Sequence, residues 1–269
     1  MTEQRLQGRR ALITGAGSGL GRAIALRFAQ EGAAGVAVAD RVPERVEVVC
    51  GEVAALGTQA LPVVADVGDP EACERMVRDS VRELGGLDVL VSNAAISSSG
   101  EPTLELTLQS WNRMLAVNLT AGFLLGREAA RHMAGHGGGV ILFTSSVGGT
   151  WGQPGGAHYS VTKAAIANLT KTMALEYGPL GIRVNCVSPG GMDTNMIAEY
   201  QGEAAAERQR QGSTSSALGR IAAAREVAAG FAFLASDDAS FITGTNLFVD
   251  GGVTAGLPSH VVPVPAPTS

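Results

Sequence analysis

TGAGSGLG, residues 14–21, is a glycine-rich stretch that joins a predicted strand ending at Thr14 to a predicted helix beginning at Gly19. Gly15, Gly19 and Gly21 lack side chains where a turn must let a bound pyrophosphate approach the backbone. The amide groups and the dipole at the start of the helix favour the negative charge of that group. Glycines also serve ordinary turns, but the strand–turn–helix setting favours nucleotide binding. The stretch therefore predicts a dinucleotide-binding β–α–β unit.

The same alternation of short apolar runs and longer helical segments continues along the chain. Because parallel strands that alternate with helices form a doubly wound sheet, we expect an α/β single-domain Rossmann fold with a seven-stranded parallel sheet and helices on both faces. This domain is expected to cover residues 1–257, and a Pro-rich extended tail to cover residues 258–269. The predicted strands are residues 10–14, 35–39, 61–65, 88–91, 140–144, 183–187 and 246–249, and the predicted helices are residues 19–30, 43–56, 69–84, 107–134, 157–177 and 223–235.

Composition and charge narrow the functional classes. The chain has 269 residues, of which 45% are hydrophobic and 17% charged, and its formal net charge is −5. That balance is typical of a folded protein and gives no basic field for a nucleic acid backbone. The N-terminal stretch is polar, and the sequence contains no run of about 18 apolar residues, the length that is needed to span a membrane. We expect a cytoplasmic protein with no nucleic acid partner and no membrane partner.

Cysteine and histidine spacing gives no sign of a disulfide or a metal site. Cys50, Cys73 and Cys186 are isolated and odd in number, so we expect them to be buried thiols. The histidines have no paired ligand spacing, and His158 is expected to point away from the helix face that carries Tyr159. No metal ligand is therefore predicted.

Asp40 stands at the end of the second predicted strand. A carboxylate at this place can accept hydrogen bonds from the ribose of adenosine, and it repels a 2′-phosphate. Arg41 follows directly, and its guanidinium could instead bind a 2′-phosphate, stack on adenine or point into solvent. NAD is therefore the favoured cofactor, with NADP as the alternative.

Ser146, Tyr159 and Lys163 fall within the segment SVGGTWGQPGGAHYSVTK. Tyr159 and Lys163 are four positions apart in a predicted helix, so their side chains share a face. A phenol ionises at a pH of about 10, so proton exchange at neutral pH requires nearby positive charge from the lysine and an oxidised nicotinamide. The spacing therefore predicts that Tyr159 transfers a proton and that Lys163 supports its ionisation.

Together, TGAGSGLG, SNAA, VNLTAGF, Ser146, YSVTK and SPGGMDT resemble the classical branch of the short-chain dehydrogenase/reductase family, over about residues 7–252. The resemblance implies that Tyr159 is the catalytic acid or base, Lys163 its partner and Ser146 the group that binds the substrate oxygen. It selects Ser146 over the adjacent Ser145. It also implies that Asn118 holds a relay water, although without the family Asn118 could simply hydrogen-bond within its helix.

Further cofactor contacts follow from the same resemblance. Asp66 corresponds to the residue that contacts adenine, Asn93 to the turn beside the adenosine ribose, and Thr194 to the residue near the carboxamide. SNAA replaces the usual Asn-Asn-Ala-Gly of the family, and the methyl group of Ala95 is expected to narrow the cleft slightly. The complete predicted cofactor set is Gly15, Ser18, Gly19, Leu20, Gly21, Asp40, Arg41, Asp66, Val67, Asn93, Tyr159, Lys163, Pro189, Gly190 and Thr194.

Substrate selectivity is expected to lie in residues 96–99, 148–156 and 191–215. Trp151, Met192 and Met196 could form an apolar wall, which favours a hydrophobic cyclic, aromatic or acyl substrate, although core packing explains each of them equally well. Residues 192–216 could close over the substrate as a lid or form an exposed pair of helices, and the family resemblance favours the lid. The predicted substrate contacts are Ser146, Trp151, Tyr159 and Met192.

These residues predict hydride transfer between a nicotinamide cofactor and a secondary alcohol or ketone. One alternative is an NADPH-dependent 3-oxoacyl-thioester reductase, because VGGTWGQPG and FITGTNLFVDGG also look like that branch of the family; Asp40 and Ser18 argue against it. The other alternative is a non-catalytic protein that senses the dinucleotide, since a fold alone does not establish function. Similar proteins commonly assemble as tetramers, so we expect a homotetramer.

Overall fold

One parallel sheet organises the computed structural model of the protein, which describes residues 4–192, 196–204, 207 and 216–256. Its seven strands follow the order β3-β2-β1-β4-β5-β6-β7, which confirms the predicted doubly wound Rossmann fold. The order reverses between β1 and β4, and ligands of open α/β sheets bind at the carboxyl ends of strands beside such a point. The strands are β1 (Arg10–Thr14), β2 (Gly35–Asp40), β3 (Gln59–Val64), β4 (Val89–Ser92), β5 (Gly139–Thr144), β6 (Ile182–Pro189) and β7 (Asn246–Val249).

Helices cover both faces of this sheet. Within β1, the buried side chains of Ala11 and Ile13 point to one face and that of Leu12 to the other. Strands that are buried on both sides are apolar at every position, which explains the continuous apolar runs in the sequence. Helices α1, α2 and α8 pack on the first face, and α3, α5 and α6 pack on the second. The helices are α1 (Gly19–Gln30), α2 (Pro43–Ala55), α3 (Pro70–Leu84), α4 (Leu108–Leu115), α5 (Ala121–Met133), α6 (Ala157–Tyr177), α7 (Met196–Gln201) and α8 (Ala224–Ala235).

Most element boundaries agree with the prediction, and one predicted helix is interrupted. α1, α6 and β7 begin and end at the predicted residues, whereas β3 is shifted toward the N-terminus of the chain. The helix predicted at residues 107–134 is instead α4, a π-helical turn at Ala116–Thr120, and α5. Asn118 lies in this turn, and its buried side chain hydrogen-bonds both backbone groups of Ile96. Such single π-turns inside α-helices frequently occur at functional sites.

The predicted Pro-rich tail, residues 258–269, lies outside the described residues, as does Thr194. The domain boundary at residue 257 therefore stays a prediction. No helix in the described ranges combines the length and the apolar character that crossing a bilayer requires.

Candidate active site

A cleft of about 310 Å³ opens along the carboxyl ends of the parallel strands. It runs from the glycine turn and Asp40, at the end of β2, to Ser146 and Tyr159, beyond the end of β5. It therefore lies at the position where folds of this topology bind ligands. The predicted site residues that line it are Gly15, Ser18, Gly19, Leu20, Gly21, Asp40, Arg41, Asp66, Val67, Asn93, Ser146, Tyr159, Lys163, Pro189, Gly190 and Met192.

Two predicted site residues that the structure describes lie away from the cleft lining. Asn118 is buried behind the cleft wall. Trp151 lines a separate shallow groove beside α6, and 45% of its surface is exposed, because residues 150–154 form an exposed turn before that helix. The apolar wall expected from the sequence is thus corrected to Met192 and Met196, which both line the main cleft.

The glycine turn has the geometry of a pyrophosphate cradle. Gly15 and Gly19 adopt φ angles of +63° and +51°, which residues with a side chain rarely adopt. A Cβ atom on Gly21 would lie 2.1 Å from the backbone oxygen of Gly15. Asn93 holds the turn from the end of β4, since its Nδ2 donates to the Thr14 oxygen at 3.0 Å. The turn therefore fits a dinucleotide, because it presents backbone without side chains where the pyrophosphate would approach.

Asp40 is fixed by two backbone amides at the end of β2. Its Oδ2 accepts a hydrogen bond from the amide of Gly17, and its Oδ1 accepts one from the amide of Val42, each at 3.1 Å. Each carboxylate oxygen keeps a lone pair for a further donor such as a ribose hydroxyl. The exposed side chain of Arg41 also lines the cleft. This corner of the cleft thus carries charges of both signs.

Asp66 lies after β3 and pairs with a residue that the sequence did not single out. The Nη2 of Arg113, on α4, donates to its Oδ2 at 2.8 Å, and the amide of Gly68 donates to its Oδ1 at 2.7 Å. Partial burial acts to raise the pKa of Asp66, but these hydrogen bonds and the positive charge of Arg113 lower it overall. The carboxylate is therefore held in its charged form beside the cleft.

Tyr159 and Lys163 share one face of α6, as their spacing predicted. The Nζ of Lys163 lies 5.6 Å from the centre of the Tyr159 ring and donates to the Thr144 oxygen at 2.8 Å. Burial raises the pKa of Tyr159, against a smaller opposing effect of its hydrogen bond with Ser146. Burial also lowers the pKa of Lys163 to about 8. Perturbed pKa values of paired groups in a cleft are typical of functional sites.

The two adjacent serines have different environments. Ser146 lines the cleft, and its Oγ accepts a hydrogen bond from the amide of Gly148 at 3.0 Å. Ser145 is buried, and its Oγ donates to the backbone oxygen of Lys163 at 2.8 Å. Ser146 is therefore placed to meet a ligand beside Tyr159, whereas Ser145 joins β5 to α6.

Asn118 is held tightly by the loop that follows β4. Its Oδ1 accepts from the amide of Ile96 and its Nδ2 donates to the oxygen of Ile96, both at 2.9 Å. Its Nδ2 also lies 3.5 Å from the hydroxyl of Thr162 on α6. These contacts join the π-helical turn, the loop and the helix that carries Tyr159. The role of Asn118 in holding a relay water stays a prediction.

Thr144 is a site residue that sequence reasoning missed. Its backbone oxygen accepts the hydrogen bond from Lys163, and its hydroxyl donates to Oδ1 of Asn93 at 3.1 Å. Thr144 is the last residue of the predicted strand at residues 140–144, and this position at the carboxyl end of a parallel strand could have marked it as a site residue. Thr144 thus connects the lysine beside Tyr159 to the side chain that holds the glycine turn.

Three charged side chains and one tyrosine line the cleft near Asp40 and Asp66 but were not singled out individually from the sequence, although two of them lie within residues 191–215, where substrate selectivity was expected. These residues are Arg45 of α2, Arg113 of α4, and Glu199 and Tyr200 of α7. Arg45 and Glu199 form an ion pair at 2.9 Å although 154 positions separate them along the chain. Local spacing carries no signal for a pair so distant, since tertiary packing alone brings the two residues together.

The cysteines and His158 do not line the cleft, and the described residues offer no metal site. Among the residues that the structure describes, no three His, Cys, Asp or Glu side chains gather as a metal site would require. The three cysteines are free, and Cys73 and Cys186 are buried whereas Cys50 is partly buried. His158 is buried and lies outside the cleft lining.

Known proteins with similar sequences and folds agree with this geometry. A family model described as "Enoyl-(Acyl carrier protein) reductase" matches residues 15–254. The chain is 41% identical to cis-4-hydroxycyclohexanecarboxylate dehydrogenase of Sinomonas cyclohexanicum, over 91% of this chain and 96% of that protein. It is also 41% identical to meso-2,3-butanediol dehydrogenase of Serratia marcescens, over 91% of this chain and 94% of that protein. A crystal structure of a short-chain type dehydrogenase/reductase from Mycobacterium marinum has a TM-score of 0.87 and 39% identity, and covers 94% of this chain and 98% of its own.

Proposed function

We propose that the cleft transfers a hydride between a nicotinamide dinucleotide and a secondary alcohol or ketone. The proposal starts from the family, because this chain belongs to the classical short-chain dehydrogenases/reductases. One observation carries the proposal. Ser146, Tyr159 and Lys163 meet at one end of a cleft whose other end is a glycine turn suited to a pyrophosphate. The reacting groups and the nucleotide cradle thus belong to one continuous cavity.

Proton transfer is assigned to the hydroxyl of Tyr159. In the oxidative direction Tyr159, as the phenolate, takes the proton of the substrate alcohol and becomes the neutral phenol, and the hydroxyl of Ser146 hydrogen-bonds the same substrate oxygen as it becomes a carbonyl. A bound nicotinamide supplies the hydride acceptor, or the donor in the reverse direction. Lys163 commits one N–H to Thr144, which leaves its remaining donors for groups in the cleft. Positive charge on Lys163 would favour the phenolate form of Tyr159.

We propose NAD as the preferred cofactor. The carboxylate of Asp40 is held in place by the amides of Gly17 and Val42, so it cannot swing away without losing both hydrogen bonds. A fixed carboxylate at this corner accepts the ribose hydroxyls of NAD and repels the 2′-phosphate of NADP. Arg41 is exposed, and a solvent-exposed guanidinium offsets that repulsion weakly.

For the substrate we propose a cyclic secondary alcohol with an apolar body. Met192 and Met196 give the cleft flexible apolar side chains that adapt to different ring shapes. Two related proteins are named as dehydrogenases of cis-4-hydroxycyclohexanecarboxylate and of meso-2,3-butanediol, which supports a secondary alcohol as the reacting group. We also propose a cytoplasmic homotetramer, and light scattering coupled to size-exclusion chromatography tests the assembly.

The competing function is NADPH-dependent reduction of a 3-oxoacyl thioester. Arg41 and Arg45 both line the corner where a 2′-phosphate would lie. The matching family model is described as an enoyl-(acyl carrier protein) reductase, a name that shares the acyl thioester with this function but refers to reduction of a carbon–carbon double bond. Asp40 lies in that same corner and opposes this function through its charge.

Initial rates test the proposal directly. Cyclohexanol and 2,3-butanediol are oxidised with NAD or NADP, and cyclohexanone and a 3-oxoacyl thioester are reduced with NADH or NADPH. We expect kcat/KM with NAD to exceed that with NADP by at least about tenfold, and the ring substrates to be turned over. A preference for NADPH together with thioester reduction would establish the competing function. Dinucleotide binding without any change in nicotinamide absorbance would instead indicate that the protein senses the dinucleotide and does not catalyse a reaction.

A further inference from the structure

Helix α7 is attached to both walls of the cleft. At one side, Oε1 of Glu199 accepts a hydrogen bond from Nη2 of Arg45 at 2.9 Å, which joins α7 to α2. At the other side, Nε2 of Gln201 donates to the backbone oxygen of Ser98 at 2.9 Å, which joins α7 to the loop after β4. Tyr200 stands between these two attachments and lines the cleft. Helix α7 therefore connects α2, on one side of the cleft, to the loop after β4, on the other side.

Arg45 belongs to the corner that would hold the adenosine ribose. A Cβ atom on Gly17 would lie 2.8 Å from Cβ of Arg45 and 2.9 Å from Oδ2 of Asp40, so the three residues are in direct contact. The hydrogen bond that Arg45 donates to Glu199 raises the pKa of Arg45, and the charges of Glu199 and Asp40 raise it further against an opposing effect of burial. Arg45 is thus the side chain through which helix α7 contacts the cofactor corner.

We infer that Arg45 and Glu199 form a latch that holds helix α7 over the cofactor and makes Glu199 a specificity-determining residue at the 2′ position of the ribose. The inference rests on the proposed function, because it presumes that the cleft holds a dinucleotide. With the pair closed, the charges of Arg41 and Arg45 are balanced by those of Asp40 and Glu199. The guanidinium of Arg45 is then hydrogen-bonded to Glu199. A 2′-phosphate would be repelled by the carboxylates of Asp40 and Glu199.

Opening the latch changes both the charge and the donors of this corner. Removing the charge of Glu199 frees the Arg45 guanidinium, which is a good phosphate ligand. The same change weakens one attachment of helix α7, because a glutamine oxygen can accept only a neutral hydrogen bond in place of the ion pair, so the cofactor should leave more quickly. Both partners are about half exposed, with 42% and 46% of their side-chain surfaces accessible, so the effects should be modest.

The experiment uses the full chain and measures binding without turnover. Fluorescence of the reduced nicotinamide gives dissociation constants and release rates for NADH and NADPH with wild type, Glu199→Gln, Arg45→Met and the double variant. Glu47→Gln is the matched control, because Glu47 is an exposed carboxylate of α2 that does not line the cleft.

We expect Glu199→Gln to speed NADH release about two- to fivefold and to raise the affinity for NADPH relative to NADH by about fivefold. Arg45→Met should speed NADH release to the same extent without the gain in NADPH affinity. The double variant should release NADH no faster than either single variant, since both remove the same contact. Glu47→Gln should match wild type.

Additive effects in the double variant, or equal cofactor preference in Glu199→Gln and Glu47→Gln, overturn the latch. Wild type that binds neither dinucleotide overturns the proposed function and the latch together. Wild type that binds NADPH more tightly than NADH overturns the proposed cofactor alone, because non-additivity in the double variant still decides whether Arg45 and Glu199 act as one unit.

Discussion

The two ends of the cleft are built by different physical means. At the inner end, Tyr159 and Lys163 lie on one long helix against β5, and burial shifts the pKa values of both groups. At the outer end, Arg45 pairs with Glu199 and Arg113 with Asp66, through side chains that are 42–46% exposed. Buried groups are screened weakly and exposed groups strongly. The inner end should therefore depend on packing and the outer end on ionic strength.

The largest effect is expected for Tyr159→Phe, which removes the hydroxyl of the inner end and leaves its ring. Because this hydroxyl is the proposed proton-transfer group, kcat should fall by about 10²–10⁴-fold. NADH affinity should stay within about twofold of wild type, since the outer end is unchanged. Steady-state rates and fluorescence titration measure the two quantities. Turnover close to that of wild type would remove Tyr159 from the mechanism.

Lys163 gives the inner end a characteristic pH dependence of stability. Its pKa is about 8 in the folded protein, whereas an exposed lysine ionises at a pH of about 10.4, so folding costs free energy while the buried amine is protonated. The cost is fully present below pH 8 and disappears as the pH rises toward the unfolded value. Relative to Lys163→Met, wild type should gain about 1–3 kcal/mol in its free energy of unfolding between about pH 7 and pH 10.

Urea unfolding of both proteins across this range measures the difference. Comparing wild type with the variant cancels the titration of groups distant from Lys163, and a second comparison in the Tyr159→Phe background removes the titration of the neighbouring phenol. A free-energy difference that stays constant with pH would contradict the lowered pKa of Lys163.

Gly21→Ala tests the glycine turn, which lines the cleft together with the outer end. The new methyl group would lie 2.1 Å from the Gly15 oxygen, so the turn has to move. We expect a loss of about 1–3 kcal/mol in the free energy of unfolding and at least about tenfold weaker NADH binding. Gly51→Ala is the control, because Gly51 lies within α2 with open space around it, and it should stabilise the protein by about 0.5–1 kcal/mol. Equal stability of the two variants would contradict the close approach.

The smallest effect is expected for Arg113→Met at the outer end. The pair with Asp66 is exposed at both partners, so its loss should weaken NADH binding by about two- to fivefold at low salt. At about 0.5 M NaCl the difference from wild type should nearly vanish, because the charges are screened. Arg75→Met, which removes an exposed pair on α3, serves as the control. An effect that persists at high salt would mean that Arg113 acts through packing.

Sequence reasoning succeeded where local spacing carries the chemistry. The four-residue spacing of Tyr159 and Lys163 predicted a shared helix face, and α6 has the predicted bounds. The strand–turn–helix setting of the glycines predicted the cradle, and burial of β1 on both sides produced the apolar run that revealed the sheet. In each case the residues that cooperate are neighbours along the chain or repeat with the period of their element.

Prediction failed where distant segments meet. The π-helical turn depends on the hydrogen bonds of Asn118 to Ile96, and no propensity of its own five residues signals them. The apolar character of Trp151 suggested a place in the wall of the cleft, but the exposed turn at residues 150–154 carries it to another surface. Glu199 could not be matched to Arg45, since many arginines compete for a carboxylate and only tertiary structure selects one.

Thr144 gives the two ends a common fixed point. One residue receives the Lys163 ammonium on its carbonyl and steadies Asn93, and hence the glycine turn, with its hydroxyl. A displacement of the end of β5 would be transmitted to the acid–base pair and to the nucleotide cradle at once. The side-chain contacts of Asp40 and Glu199 do not include Thr144. We therefore expect that substitutions at these two positions can alter cofactor preference without moving Tyr159 and Lys163.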